Sequence, residues 1–149
     1  MKLRVYLDTS VFSAYHDGRV PERQRETQEF WPRLDGFLAS TSELARQELS
    51  QATDEALRPK LLQLLGQVVV HPLTEEMTVI ARRYVEHGIF SPVMLNDAIH
   101  VAAAVVSDQD VLLSWNFRHL VNRRRRAEIN ALNASSGLRT LEILAPSEM

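Results

Sequence analysis

The chain has no cysteine. That excludes disulfides, thiolate catalysis and any cysteine-based zinc site, and it suits a reducing compartment. No apolar run approaches the ~20 residues needed to span a bilayer. The short apolar opening meets Asp8 before it reaches the length of a secretory leader. The expectation is therefore a cytoplasmic protein without a membrane partner. Glycine is scarce, at positions 18, 36, 66, 88 and 137, and this spacing forms neither a dinucleotide fingerprint nor a phosphate loop. No linker rich in Gly, Pro or Ser, no low-complexity stretch and no repeat divides the 149 residues. One domain spanning 1–149 is expected, and an apolar content of 45% suffices for its core. A large charge of either sign is also missing. The net charge of −2 nevertheless conceals a cluster, because five of the 17 basic residues fall between Arg118 and Arg126 with no acid before Glu128. Local potential outweighs the sum, so this run reads either as a solvated helix face or as a nucleic-acid contact.

What is present alternates. Short β-branched or leucine-rich segments at 3–7, 37–40, 67–70, 111–114 and 140–143 read as strands. Helical periodicity fills the intervals. Ser42 is placed to cap a helix through Leu44, Ala45 and Leu49, and Thr74 to cap one over 75–86 that stops at His87-Gly88. Residues 95–106 are apolar nearly all round and belong at the centre of the domain. A last helix over 124–132 is closed by Ser135-Ser136-Gly137. Strands alternating with helices favour an α/β fold with a parallel sheet covered on both faces.

In such sheets the functional crevice lies beyond the carboxyl ends of the strands. Four residues fall there or on the helices behind. Asp8 closes the first strand, where capping of the next helix is an equal reading. Glu48 follows the second strand by one helical turn, although glutamate is common on exposed helical faces. Asp97 is an acid in an apolar helix, where an unpaired carboxylate is costly. Asn116 lies just beyond the fourth strand. Oxygen donors brought together from separate elements suit a hard cation such as Mg²⁺ or Mn²⁺. His71, His87, His100 and His119 are scattered without zinc spacing, and read as structural or exposed.

The stretches that carry these residues resemble the PIN-domain family. Val5-Tyr6-Leu7-Asp8-Thr9-Ser10 resembles its first strand with the metal-binding Asp. Ser42-Glu43-Leu44-Ala45-Arg46-Gln47-Glu48 resembles the segment with its acidic Glu, and Asn96-Asp97-Ala98-Ile99-His100-Val101-Ala102 its Asp-Ala helix. Leu112-Leu113-Ser114-Trp115-Asn116 is similar to the strand and loop of the fourth site position. Order and spacing agree from Leu3 to about Ile143. The resemblance implies a three-layer α/β/α sandwich with a mainly parallel sheet and an endoribonuclease dependent on Mg²⁺ or Mn²⁺. It also implies a homodimer and, as in VapC-like toxins, a cognate antitoxin partner. Asp8, Glu48 and Asp97 would be the acidic ligands, with Asn116 in the fourth place. Ser10 and Ser114 would add hydroxyl contacts, Asp110 a supporting one unless it caps a helix, and Arg118, Arg123 and Arg124 would hold RNA.

One departure is the asparagine at position 116, where many active members carry aspartate; it offers a carbonyl oxygen but no charge. Glu48 is preferred to Glu43, since the two stand roughly 140° apart around a helix. Rivals are few. A catalytically inactive RNA- or protein-binding module of the same fold is the alternative. A phosphoaspartate hydrolase needs an acid where Ser10 stands, and a response regulator needs an acidic pair that is missing. Trp115 is a candidate for base stacking or a dimer face.

Overall fold

The computed structural model describes residues 1–149. Five strands, β1 (Arg4–Leu7), β2 (Leu38–Ser42), β3 (Val69–His71), β4 (Val111–Leu113) and β5 (Glu142–Leu144), form one sheet in the order β3-β2-β1-β4-β5. Every pairing is parallel. The three-layer α/β expectation holds, and the sheet is wholly parallel.

Seven helices connect the strands: α1 (Thr9–Tyr15), α2 (Pro21–Phe30), α3 (Glu43–Ser50), α4 (Leu57–Leu65), α5 (Glu75–Glu86), α6 (Leu95–Val106) and α7 (Arg123–Ser135). From β1 the chain steps outward to β2 and β3, then returns to the other side of β1 for β4 and β5. Right-handed crossovers therefore put α1–α4 on one face and α5–α7 on the other. The packing agrees: α1 meets α2 and α4, while α5 lies along α6. Tyr84 of α5 donates its hydroxyl to Asn133 of α7 at 2.6 Å. The reversal between β1 and β4 is the switch point at which open parallel sheets hold their ligands.

Burial on both faces explains the strand composition. Val5, Tyr6, Leu7, Leu112, Leu113 and Ile143 are sealed in the core, as are Ala98 and Val101 to Ala104 of α6. The small alanines let α6 lie close to the sheet. Strand ends differ from the sequence reading by one or two residues, which is the usual fraying of such boundaries. The boundaries of α5 and α6 match. Thr74 caps α5, accepting from the Met77 amide at 3.3 Å, and Gly88 ends the hairpin beyond it with φ +75°. Ser42 precedes α3 but makes no side-chain cap; its hydroxyl is bonded to Tyr6 instead. No helix is long and apolar enough to cross a membrane.

Candidate metal and nucleic-acid site

Asp8 is the residue at which β1 becomes α1. Its amide still bonds Leu113 O across the sheet at 3.1 Å, and its side chain caps α1. Oδ1 accepts from the Ser10 amide at 3.0 Å and from the Ser10 hydroxyl at 2.5 Å. Oδ2 accepts from the Ser114 hydroxyl, 2.6 Å away at the end of β4. Capping and site placement thus coexist in one side chain. Only 4% of Asp8 is exposed. Burial, the largest influence, pushes its carboxyl above the usual carboxylate range; His100 and the two serines pull it back in part, and the charge of Asp97 adds to the rise.

Two strings of hydrogen bonds hold the remaining candidates, and only the first starts at Asp8. The first follows the β4 end. Ser114 Oγ accepts from the Asn116 amide at 2.9 Å, and Asn116 Oδ1 accepts from the His119 amide at 2.9 Å. His119 Nδ1 in turn lies 3.1 Å from Asp97 Oδ2, in the first turn of α6. The second gathers around Glu48. Its Oε1 accepts from the Thr9 hydroxyl at 2.6 Å and faces His100 Nε2 at 2.7 Å. His100 lies one helical turn beyond Asp97. Its Nδ1 is 2.7 Å from the Tyr6 hydroxyl, which is also 2.7 Å from Ser42 Oγ.

This second string has a defined polarity at its Glu48 end. Nε2 of His100 faces a carboxylate and so carries a proton, while Nδ1 accepts from Tyr6 when the ring is neutral and donates to it when the ring is charged. Tyr6 can donate because burial raises its phenol well above the usual value. Burial alone would push Glu48 up as well, but the hydrogen bond and attraction of His100, aided by Thr9, outweigh it and hold the carboxyl below its usual range. Glu43, the other candidate on α3, is partly buried and paired with Arg46.

Three sequence expectations need correction. Asp110 is not near the site. It precedes β4, whereas the site lies past the carboxyl end of that strand; its Oδ2 accepts from the Arg4 amide at 2.8 Å and its Oδ1 pairs with Arg139 at 2.9 Å. Trp115 is only 6% exposed and donates its indole N–H to Thr27, so it belongs to the core. His100 and His119, read as structural or exposed, stand inside the site. The usable signal for His100 was its place three residues after Asp97 on an apolar helix; Tyr6 and Thr9 carried none beyond their buried neighbourhood.

The basic run divides. Arg126 donates to Ile143 O, and the Arg125 guanidinium lies 4.6 Å over the Phe90 ring. Arg118, Arg123 and Arg124 face solvent. A cavity of about 510 Å³ borders Ser10 and Asn116 and is walled by Arg23, Phe117 and Arg118. A second, of about 460 Å³, borders Thr9 and Glu48. The largest cavity, about 540 Å³, lies around Lys2, Arg4, Leu38 and Val69 and touches none of the acids.

In donor chemistry the four candidates fit a hard divalent cation: oxygen ligands, and a buried carboxylate whose charge is opposed by burial and by Asp97. No three acids or histidines form a metal cage as they stand, and the oxygens of Asp8, Glu48 and Asp97 already hold hydroxyl, imidazole and amide partners. An ion would have to share or displace those contacts.

A model of the PIN domain matches residues 5–120. Similar solved structures include a toxin-antitoxin complex from Klebsiella pneumoniae, with 16% identity and a TM-score of 0.59 over 77% of this chain and 88% of that one. VapBC2 from Rickettsia felis, bound to a DNA fragment from their promoter, has 11% identity and a TM-score of 0.58 over 95% of this chain and 97% of that one. DNA-bound VapBC from Salmonella typhimurium has 12% identity and a TM-score of 0.57 over 97% and 98%. At these identities the likeness speaks for the fold. No curated protein matches the sequence.

Proposed function

Since the chain belongs to the PIN-domain family, we propose that it is an endoribonuclease dependent on Mg²⁺ or Mn²⁺ and the toxin of a toxin–antitoxin pair. The observation that carries this reading is the alignment of Asp8, Asn116 and Asp97 along one string of hydrogen bonds at the β1–β4 switch point, bordered by an arginine-walled cavity, with Glu48 held separately by Thr9 and His100. The fold shared with toxin-antitoxin complexes supports an antitoxin partner; the homodimer rests on the family resemblance alone. The whole of 1–149 acts as one unit.

Asp8 and Asp97 would hold the cation, with Glu48 and the carbonyl oxygen of Asn116 as further ligands. A divalent cation bound there supplies Lewis-acid polarisation of the phosphodiester and neutralises charge in the transition state. Ser10 and Ser114 fix both oxygens of Asp8. Glu48, with Oε1 held by His100 and Thr9, orients the attacking water and takes its proton; the water oxygen bonds to phosphorus as the P–O bond to the 3′ oxygen breaks, and that oxygen takes a proton from solvent. Arg118, Arg123 and Arg124 position the phosphate backbone.

The test is cleavage of RNA by purified protein with Mn²⁺ or Mg²⁺, beside EDTA and an Asp97→Asn variant, with Mn²⁺ binding followed by calorimetry. The expected result is cleavage that needs the metal and falls by about a thousandfold or more in the folded variant. Cleavage that survives both controls comes from a contaminant and overturns the assignment. Absence of both cleavage and metal binding selects the inactive binding module, which Asn116 favours because its carbonyl oxygen already serves the turn to His119.

A further inference from the structure

Phe117 directly follows Asn116 and is 48% exposed, while its neighbour Trp115 is buried. A lone exposed aromatic is common on a protein surface, but this ring is fixed by an edge-to-face contact with Trp115, centroids 6.1 Å apart. The loop that carries it is also held firmly. Asn116 O accepts from the Leu120 and Val121 amides. The Asn122 side chain donates to Phe117 O and Arg118 O, both at 3.2 Å. Phe117 is thus offered to solvent from a pinned backbone, so little ordering remains for a ligand to impose.

Its surroundings are cationic. Phe117 and Arg118 together separate two cavities. One, of about 510 Å³, reaches Ser10 and Asn116 and has Arg23 on its far wall, 5.5 Å over the Trp115 ring. The other, of about 450 Å³, is lined by Arg124 and Arg125. The acids of both are already engaged: Asp17 by Arg19 at 2.9 Å and Glu128 by Arg124 at 2.8 Å. Four consecutive arginines from Arg123 open α7, at the helix end where the backbone dipole disfavours cations. This track gains from an anion along it, and its cavity reaches Ser10 and Asn116.

We propose that Phe117 is a stacking platform for one unpaired nucleobase beside the scissile phosphodiester, with Arg23 and Arg118 flanking it and the next phosphates running toward Arg124. The substrate class is single-stranded RNA, because a base held in a duplex cannot present its face to the ring. The assignment rests on the nuclease reading above and adds to it a residue that contacts substrate without touching the metal.

The experiment is fluorescence anisotropy with a labelled single-stranded RNA on an Asp97→Asn background, which binds without cutting. Phe117→Ala on that background is expected to weaken binding at least about fivefold, the lower end for loss of one stacked base. Phe117→Trp restores it. An abasic nucleotide scanned along the RNA should, at one position, lower parent affinity to that of the Ala variant, which itself stays unchanged there. Parent and Ala variant should bind a blunt RNA duplex alike. Equal affinity of both proteins for the single strand overturns the platform while leaving the nuclease reading intact, and returns Phe117 to the class of protein-contact residues. A loss that persists at every abasic position overturns it too. A parent that binds no RNA sinks this proposal and the nuclease reading together.

Discussion

The two edges of this sheet hold similar acids in different company. At the amino edge, Asp110 faces Arg139 and the Arg4 amide, and Asp108 lies 3.9 Å from the same arginine. At the carboxyl edge, Asp8, Glu48 and Asp97 have serines, a threonine and two histidines, with no lysine or arginine in direct contact. An acid paired with arginine has its charge already spent. An acid held in place by hydroxyls is oriented but not neutralised, and so retains its affinity for a cation. The type of partner, more than burial, separates a structural carboxylate from a candidate ligand here. Asp97 and Asp110 are both only partly buried.

The largest effect expected from that contrast is on cleavage. Asp8→Asn keeps an oxygen for the Ser10 amide but removes a charge, and it should lower metal-dependent RNA cleavage by about a thousandfold. Asp110→Asn should leave the cleavage rate within about twofold while costing about 1 kcal/mol of stability through its bonds to Arg4 and Arg139. Rates from purified variants and denaturant midpoints decide it. A large loss of rate in folded Asp110→Asn would restore that residue to the site and break the comparison.

The same contrast shows how far the sequence could lead. Strand ends put Asp8 and Asn116 at carboxyl ends, and the helical angle showed that Glu43 and Glu48 cannot share a face, the family motif choosing Glu48. The ends and the angle are consequences of local period, which the chain displays directly. Asp110 was misplaced because it stands beside a strand in sequence, and adjacency does not say which end of that strand meets the crevice. His100 escaped notice because its partners, Tyr6 and Glu48, are 94 and 52 positions away; only the folded sheet brings them together. Ser42 was taken for a cap since nothing nearby in sequence competes for its hydroxyl, but Tyr6 from the neighbouring strand does. Trp115 looked available for stacking because its burial depends on α2, through Thr27.

Within the carboxyl edge, Asp8 and Glu48 differ again, and metal-free stability against pH separates them. The Asp8 carboxyl is raised above its ordinary 3.8 by burial, so the folded state binds its proton more tightly and stability is lost as pH rises from that value through the raised one. Asp8→Asn should therefore gain on the wild type over that interval and end more stable at pH 7, the usual trade of stability against function. Glu48 is lowered from 4.5, burial being outweighed by His100 and Thr9. Its contribution is present above 4.5 and disappears as pH falls through the depressed value. Glu48→Gln should lose against the wild type over that lower window and then hold a constant deficit. Denaturation midpoints in EDTA between pH 3 and 7 give the two slopes. Slopes of the same sign would mean that both carboxylates share one environment.

The smallest effect belongs to Arg139. Its guanidinium is about 38% exposed and reaches both Asp108 and Asp110. Solvent screens such a pair, so Arg139→Ala should cost at most about 1 kcal/mol and less as salt is raised. Asp110 would keep the Arg4 amide, and RNA cleavage should be unchanged. Freed of its arginine, the amino edge then presents two uncompensated carboxylates much as the carboxyl edge does, but without serines to fix their oxygens. If partner identity alone made a cation site, this variant would acquire a second Mn²⁺ in a calorimetric titration. The expected result is a single Mn²⁺, because release from arginine leaves Asp108 and Asp110 solvated and unoriented. That outcome would show that the hydroxyl cradle, and not merely the missing cation, distinguishes the carboxyl edge.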